Sequence, residues 1–437
     1  MDSNNDNEGA EPKSPRSGSL LVIFLTVFID LLGFGIVLPL LPLYADQFGE
    51  DPSGWVIGML MASFSIMQFL FAPMWGSLSD RIGRRPVIIV GLTGSVIFYT
   101  LFGIATIYKS LPWLFFTRIG AGIAGATVST AQAYIADTTD NKNRARGMAL
   151  IGMAFGLGFT LGPLFAVFAV PGGEGEPGPW PGFVAAILSA LALVMAIFVL
   201  PESLNSKSES ANTKRWWDGA RWKTALSSKA ILILLLGFFV CIFSFASFET
   251  TLSLLIKGSK DFENQPFNFS FENVCWTFAL IGSLVAIVQG GVVRPLAKRI
   301  PESRLAIAGA LIEVVGFGLM AYAASQASLN WLFASLVVIV CGYSCLQPSL
   351  YSLLSRWSDP SKQGTVLGVG QSVNAIARIF GSAIGIPMLK ASFFIPFGMP
   401  YFVSAILMFV VAGLILAASK RGQDFEVAGQ VESANAN

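Results

Sequence analysis

The stretch Gly76-Ser77-Leu78-Ser79-Asp80-Arg81-Ile82-Gly83-Arg84-Arg85-Pro86 is a short basic turn between two long apolar segments. It is too short to form a domain, and its two glycines allow helix ends and backbone to approach closely. Asp80 is stabilised by about 0.3–1 kcal/mol if it lies beside the N-terminus of another helix. The three arginines are costly to carry across a bilayer, so they predict a cytoplasmic loop. A topology anchor alone would need only the basic residues, and not glycine and aspartate at these spacings.

The composition is typical of a helical membrane protein. Of the 437 residues, 54% are hydrophobic and 12% are charged, against about 25% charged residues in soluble globular proteins. The apolar runs are about twice as long as the strands of a membrane β-barrel. The chain has no histidine, its four cysteines show no metal or disulfide spacing, and its net charge is only +2. We therefore predict an all-α polytopic membrane protein that is not an enzyme, with no metal, no cofactor and no nucleic-acid partner.

Twelve segments have the ~20 apolar residues that a transmembrane helix needs. The predicted spans are 20–44, 55–77, 86–107, 111–136, 147–170, 181–200, 230–256, 274–296, 304–324, 330–355, 363–388 and 399–419. They divide into an N-terminal six-helix bundle at 20–201 and a C-terminal one at 229–419. Polar tails are predicted at 1–19 and 420–437, and a cytoplasmic linker at 202–228, which is either a surface-lying amphipathic stretch or an unstructured tether.

The distribution of basic residues predicts the orientation in the membrane. Of the 28 Lys and Arg, 22 lie in the tails and the even-to-odd loops, four lie in the opposite loops, and two lie within spans. By the positive-inside rule, both termini are cytoplasmic, which requires an even number of spans.

An internal repeat relates the two halves. Gly125, Tyr134, Gly147 and Leu150 recur as Gly342, Tyr351, Gly364 and Leu367, and each pair is 217 residues apart. Each set extends across the fourth and fifth spans of its half. Parallel six-helix repeats with a site at the midplane between them are one known transporter architecture.

Ionisable residues within spans cost about 2.5–3.5 kcal/mol at the helix centre and are functional by default. Asp30 lies near the middle of the first span. A carboxylate that alternates between a dry environment and a neighbouring cation can bind and release a proton. We predict this role for Asp30; the alternative is a static charge partner of an arginine. Glu249 is a second candidate and Glu313 a weaker one.

A face of small and polar residues begins with an arginine in the fourth span. Steps of four, three, four and three residues keep one side of a helix, and the residues at these steps are Arg118, Gly122, Gly125, Ser129 and Gln132. A neighbouring helix or a solute can approach such a face, and Asp30 is a candidate partner of Arg118. The alternative is that Arg118 snorkels to the membrane boundary.

The eleventh span carries a comparable face. Gln371, Asn374 and Arg378 are spaced by three and four residues, so they share one side of an apolar helix. Such a side borders a cavity or the other bundle rather than lipid. The predicted cavity residues of the whole chain are Asp30, Ser129, Gln132, Gln347, Gln371, Asn374 and Arg378.

The fifth span contains Gly156-x-Gly158-x-x-x-Gly162-Pro163. Small residues four apart allow two helices to cross closely. Pro163 removes a backbone hydrogen bond and permits a kink. We predict a helix-packing role for Gly158, Gly162 and Pro163.

These motifs resemble those of the major facilitator superfamily. The loop Gly76–Arg85 matches every fixed position of the signature between the second and third helices of that family. The stretch Asp30–Pro42 is similar to the first helix of the drug:proton antiporters, especially the tetracycline-efflux branch. The stretch Arg118–Gly122 resembles the fourth-helix motif, whose arginine is associated with proton coupling. The stretch Gly158–Pro163 resembles the fifth-helix antiporter motif, except that Ala166-Val167 replaces the Gly-Gly of the family.

The resemblance covers residues 20–419 and implies two bundles that rock about a central cavity. It implies a secondary active transporter, a proton-coupled antiporter exporting a small organic molecule or drug. Proton coupling would involve Asp30, Arg118 and Glu249. The signature loop would form a conformational latch, in which the Asp80 position engages the eleventh helix in the outward-open state; the latch residues are Gly76, Asp80, Arg81, Gly83, Arg84 and Arg85.

Two other functional classes stay open, and the altered fifth-helix motif leaves the direction of transport open. One is an organic-anion facilitator or proton symporter, with Arg118 and Arg378 as substrate counter-ions. The other is a non-transporting receptor or assembly factor. We expect a monomer in the cell (inner) membrane, whose partners are a small-molecule substrate, protons and the lipid bilayer.

Overall fold

The computed structural model describes residues 17–51, 53–139, 144–170, 178–204, 228–259, 265–297, 299–358, 363–391 and 395–420. Within these ranges the chain forms twelve main helices. The first six are α1 (Ser17–Val37, continued by Leu41–Phe48), α2 (Trp55–Ile82), α3 (Arg84–Ile107), α4 (Leu111–Gly125, continued by Val128–Thr138), α5 (Arg144–Ala169) and α6 (Trp180–Phe198). The second six are α7 (Lys229–Lys257), α8 (Phe271–Ile287, continued by Val288–Val293 and Arg294–Leu296), α9 (Glu302–Gln326), α10 (Leu329–Arg356), α11 (Gln363–Ala391) and α12 (Met399–Ser419).

Eleven of the described helices are long and apolar enough to cross a membrane, and the apolar part of α5, Gly156–Ala169, is shorter. The predicted fold class is therefore confirmed. Most of the predicted tails at 1–19 and 420–437, and of the predicted linker at 202–228, lies outside the described residues.

Three of the described helices are interrupted, two of them beside a proline. In α1 the break precedes Leu41–Phe48, because Pro39 and Pro42 lack the N–H that an α-helix needs. In α4 the break follows Gly125. In α8 a π-helical turn at Val288–Val293 precedes Pro295, so the hydrogen-bond register widens where the proline cannot donate.

The helices pack as two equivalent bundles. In the first, α1 packs on α5 and α6, α3 on α4 and α6, and α2 on α4; in the second, the same pairs recur six helices later. The most extensive contacts between the bundles are α2 with α11 and α5 with α8. A shift of six helices converts one of these two pairs into the other. The repeat detected in the fourth and fifth spans therefore corresponds to a structural repeat of the two halves.

The bundles meet at the end of the molecule opposite the termini, here called the far end. A side-chain atom added at Gly54, which precedes α2, would lie 2.9 Å from Ile386 of α11. One added at Gly58, in the first turn of α2, would lie 2.6 Å from Ala383 of α11. Asp46 and Lys390 form an ion pair of 3.4 Å there, with side chains only 7% and 2% exposed.

The end that carries the termini, the terminal end, is different. A side-chain atom at Gly76 of α2 would meet no described residue within 4 Å, and the same is true of Gly290 and Gly291 on α8. The α2 and α8 helices thus have close neighbours on the opposite bundle at Gly58 and Gly282, and open space towards the terminal end.

Candidate functional site

Arg118 of α4 is a buried cation within the N-terminal bundle. Its guanidinium carbon lies 4.6 Å from the ring centroid of Phe64 and 5.7 Å from that of Phe34. A cation over an aromatic face is stabilised by about 2 kcal/mol when both are desolvated. Its Nε atom has no hydrogen-bond partner among the described residues. The side chain is therefore held among rings of α1 and α2 and does not snorkel to a boundary.

A carboxylate and a guanidinium face each other in the C-terminal bundle. Arg378 of α11 donates from Nη2 to Oε2 of Glu249 on α7 over 3.3 Å. The Glu249 side chain is 7% exposed and that of Arg378 is 28% exposed, so the arginine is the more accessible partner. The guanidinium carbon of Arg378 also lies 5.7 Å from the ring centroid of Phe159 on α5. This ion pair therefore reaches the opposite bundle.

Two phenylalanines connect these charged groups. The rings of Phe34 and Phe159 meet edge to face, with centroids 5.7 Å apart and an interplanar angle of 77°. We call Arg118, Phe34, Phe159, Arg378 and Glu249 the central layer. Its charged members were predicted from the sequence. Its phenylalanines were not, because the chain has 36 phenylalanines and those described occupy both exposed and buried positions.

Asp30 lies inside the N-terminal bundle, which differs from the predicted place in a cavity between the bundles. Its Oδ1 accepts a hydrogen bond of 2.9 Å from the Ser189 hydroxyl of α6, and Ser95 of α3 also lies within hydrogen-bonding reach. A cavity of about 20 Å³ beside Asp30, towards α3 and α4, has room for a single water molecule.

The predicted pairing of Asp30 with Arg118 is wrong, since the two form no ion pair in the described structure. Tyr99 of α3 is within electrostatic range of both groups. Periodicity gives the face of one helix on which a residue lies, but not its partner on the neighbouring helix.

The polar face of α11 borders α10. Asn374 Nδ2 donates to the Tyr351 hydroxyl over 3.2 Å, and Gln371 lies close to the same hydroxyl. Gln371 is exposed, whereas Asn374 and the α10 residue Gln347 are partly exposed. These groups form a polar wall on the C-terminal bundle. Tyr351 was not predicted as a site residue, although it was already marked as one member of the internal repeat.

The Ser129 hydroxyl is directed at α2, which corrects the predicted cavity position of Ser129. The Ser129 hydroxyl donates 3.0 Å hydrogen bonds to the carbonyls of Ala72 on α2 and of Ala126. From α2, Trp75 donates to the carbonyl of Ile123 over 2.7 Å and Gln68 to that of Gly125 over 3.3 Å. The break in α4 frees these carbonyls, and α2 satisfies them. Gln132 lies partly exposed beyond the break.

In the signature loop, Arg84 is the central residue. It pairs with Asp80 at 2.5 Å and with Asp137 at the end of α4 at 2.9 Å, and it donates to the Ser79 hydroxyl over 2.6 Å. The Asp80 side chain is 52% exposed. In this conformation the predicted latch carboxylate therefore pairs within its own loop.

The end of α6 completes this network through Glu202. Its carboxylate accepts from the backbone N–H groups of Arg84 (2.9 Å) and Arg85 (3.2 Å), the first residues of α3. The Arg85 guanidinium donates to the carbonyls of Ala196 and Ile197. Gly83 has φ +110°, and a side chain there would also collide with Glu202. Asp137 and Glu202 were not predicted, since nothing in their local sequence connects them with the loop.

The fifth-helix glycines lie where α5 crosses α1. A side-chain atom at Gly158 would lie 2.8 Å from Leu31, and one at Gly162 would lie 2.5 Å from Gly35. Between these two glycines, the Thr160 hydroxyl donates to the carbonyl of Gly282 on α8 over 2.9 Å. Pro163 lies within α5. Glu313 lies apart from the central layer, buried between α9 and α10, with a methylene group against Gly342.

The sequence profile of the Major Facilitator Superfamily matches residues 23–382 and 291–424. The chain belongs to this family of transporters. It is 30% identical over 416 residues to the tetracycline resistance protein, class C, of Escherichia coli, covering 93% of this chain and 97% of that protein. It is also 30% identical over 432 residues to the Major facilitator superfamily domain-containing protein 10 of Mus musculus, covering 85% and 88% of the two chains.

The crystal structure of the human organic anion transporter MFSD10 (TETRAN) superposes with a TM-score of 0.69. It is 27% identical and covers 92% of this chain and 100% of that one. The protein is therefore a multi-pass membrane transporter of small molecules and not an enzyme, as predicted.

Proposed function

We propose that this transporter is a proton-coupled antiporter that exports a small organic molecule across the cell (inner) membrane by alternating access. The observation that carries the proposal is the Glu249–Arg378 pair, which lies within contact distance of Phe159 on the opposite bundle. Charge in a membrane span is expensive and marks ion or substrate pathways. A change in the charge of Glu249 acts directly on the contact between the bundles.

Protonation of Glu249 removes the negative charge that holds Arg378. The arginine is then free to leave Phe159 or to bind an acidic group of a solute. A solute with a cationic or hydrogen-bonding group competes with the proton for the same carboxylate, which is what exchange requires. Asp30 is the second proton-binding group in this scheme, and its hydrogen bond with Ser189 joins α1 to α6. Arg118 contributes the positive charge on the N-terminal side.

The positive-inside distribution supports a cytoplasmic terminal end with both termini inside the cell. The conformation described above is then inward-facing. When the bundles rock to the outward-facing state, the exposed Asp80 approaches α11 and the signature loop stabilises the new contact. Gly158, Gly162 and Pro163 keep α5 close to α1 during this motion. Each chain contains both bundles and a complete central layer, so we propose a monomer.

Transport into inside-out membrane vesicles, with and without an imposed proton gradient, tests the proposal. Dyes and tetracycline-like or polyamine substrates chosen from a growth-inhibition panel serve as probes. Glu249→Gln should abolish gradient-driven uptake. Glu272→Gln, which changes a carboxylate in the first turn of α8 at the far end of the molecule, should leave uptake intact. Gradient-dependent uptake by Glu249→Gln at the wild-type rate would overturn the proposed coupling.

Organic-anion transport is the second candidate, and two observations favour it. One is the similarity to the human organic anion transporter named above. The other is the pair of arginines in the central layer, of which only Arg378 is bound to a carboxylate in the described structure. In this scheme the anion binds between Arg118 and Arg378. Flux of an organic anion without a proton gradient, lost in Arg118→Gln, would favour it over the antiporter.

A further inference from the structure

A cavity of about 480 Å³ opens at the terminal end of the C-terminal bundle, away from the central layer. It lies between the connection from α8 to α9, the last turn of α10 and the end of α12. Its charged lining residues are Arg299, Glu302 and Arg356. It is formed by the ends of membrane-spanning helices, and lipid headgroups flank the hydrocarbon core that such helices cross.

The cavity has a surplus of positive charge. Glu302 is the single acidic residue of its described lining, and both of its oxygens are engaged by Nη1 of Arg356, at 2.7 Å and 2.8 Å. Arg299 at the mouth is exposed, as are Arg304 in the first turn of α9 and Lys420 after α12. An anion entering the cavity therefore meets Arg299 at the mouth, and the described lining has one positive charge more than it has negative charges.

The rest of the lining suits the part of a lipid beneath its headgroup. Ile300, Pro301 and Leu353 give the cavity an apolar side, and Trp357 lies buried against it. Tryptophan is enriched at the level where headgroups meet hydrocarbon. The α9 helix of 25 residues begins at Glu302, so the positive end of its dipole also points to this space.

We propose that this cavity binds a phosphate group, delivered by an anionic phospholipid of the surrounding leaflet. Arg299 is the residue that contacts the phosphate. The Glu302–Arg356 ion pair holds two lining residues in place, and the apolar side contacts the glycerol region of the lipid. Basic pockets between transmembrane helices at the membrane surface are known to bind such headgroups. The site is separate from the proposed transport function and acts on the stability of the C-terminal bundle.

Native mass spectrometry of the purified full-length protein tests this, with phosphatidylglycerol and phosphatidylcholine as probes. We expect at least tenfold better retention of phosphatidylglycerol. Arg299→Gln should weaken that retention about fivefold, as expected for one basic contact at a membrane surface. Lys229→Gln, an exposed lysine at the start of α7 on the same end, is the matched control and should change nothing.

Equal retention of the two lipids, or unchanged retention by Arg299→Gln, would overturn the proposal. Added inorganic phosphate separates the two sources of the ligand. If phosphate displaces phosphatidylglycerol, the cavity recognises the phosphate group itself, whether free or on a lipid. If it does not, a lipid is the ligand and the apolar side contributes to binding. The melting temperature of Arg299→Gln without added lipid should equal that of the wild type, which separates lost binding from lost folding.

Discussion

Arg118 and Arg378, which come from opposite bundles, lie on either side of the same pair of phenylalanine rings. Arg118 is 5.7 Å from Phe34 and Arg378 is 5.7 Å from Phe159, and the two rings meet edge to face. Two like charges are thus held apart by an aromatic contact within the N-terminal bundle, and the contact of Arg378 with Phe159 joins this pair of rings to the C-terminal bundle. Any motion that separates α1 from α5 or the two bundles from each other changes the environment of both arginines.

Asp30→Asn should abolish transport that is driven by a proton gradient, while the protein still folds and inserts. Asparagine has the size of aspartate and still accepts the hydrogen bond from Ser189, but it cannot bind and release a proton. Vesicle uptake with an imposed gradient measures the loss. Ser189→Ala, which removes the partner and keeps the carboxylate, should retain coupling. Undiminished gradient-driven uptake by Asp30→Asn would exclude the proton-carrier role.

Lys390→Met should open the far end. Removing one member of a buried ion pair costs about 3–5 kcal/mol, and this pair with Asp46 joins α1 to α11. The population with an open far end should therefore rise more than tenfold. Spin labels are attached at Ser110 and Ser328 in a background without the four native cysteines. Double electron–electron resonance should report a longer distance between them in Lys390→Met than in the protein that keeps Lys390. Lys257→Met, at the same end but facing Phe271, serves as the control, and an identical distance distribution in both variants would contradict the role of the pair.

Gly58→Leu and Gly76→Leu should shift the conformational equilibrium in opposite directions. At Gly58 a side chain collides with the backbone of Ala383 at 2.6 Å, so the closed far end is excluded. At Gly76 there is open space in this conformation, so the same change obstructs only the closure of the terminal end. The spin-label distances defined above should lengthen in Gly58→Leu and stay short in Gly76→Leu. A change of the spin-label distance in the same direction in both variants would contradict the opposite roles of the two ends of α2.

Glu202→Gln should lower the thermal stability of the N-terminal bundle. The carboxylate caps the first N–H groups of α3, and a negative charge there contributes about 0.3–1 kcal/mol. The amide keeps one acceptor and loses the charge, so a modest fall in melting temperature is expected in detergent. Glu272→Gln, in the first turn of α8, is the comparison at another helix start. A larger fall for the control than for Glu202→Gln would show that the cap contributes little.

Several features could be predicted from sequence because they depend on local pattern. The twelve spans follow from the length of apolar runs, and the division into two halves follows from the repeat at a spacing of 217 residues. The charged members of the central layer were found because ionisable groups in apolar segments are rare. Glu249 and Arg378 needed no knowledge of their neighbours to be singled out.

Other features could not be predicted, because they depend on how helices cross. Asp30 and Arg118 were expected to pair, yet the crossing of α1 with α6 gives Asp30 a serine partner, and the rings of Phe34 and Phe64 surround Arg118. Ser129 has the right spacing to face a cavity, but the break after Gly125 turns its hydroxyl towards α2. The anchors of the signature loop, Asp137 and Glu202, lie more than 50 residues away along the chain.

The sequence by itself therefore determined that this is a twelve-helix transporter, which residues carry buried charge, and which loop is basic. Only the tertiary structure decided which groups are partners, which end of the molecule is closed, and where the two bundles touch. The physical reason is that hydrophobic length and helical periodicity are properties of one segment, whereas hydrogen bonds and ion pairs between helices depend on their relative rotation and crossing point. Those are set by close contacts such as that of Gly58 with Ala383, which no single segment encodes.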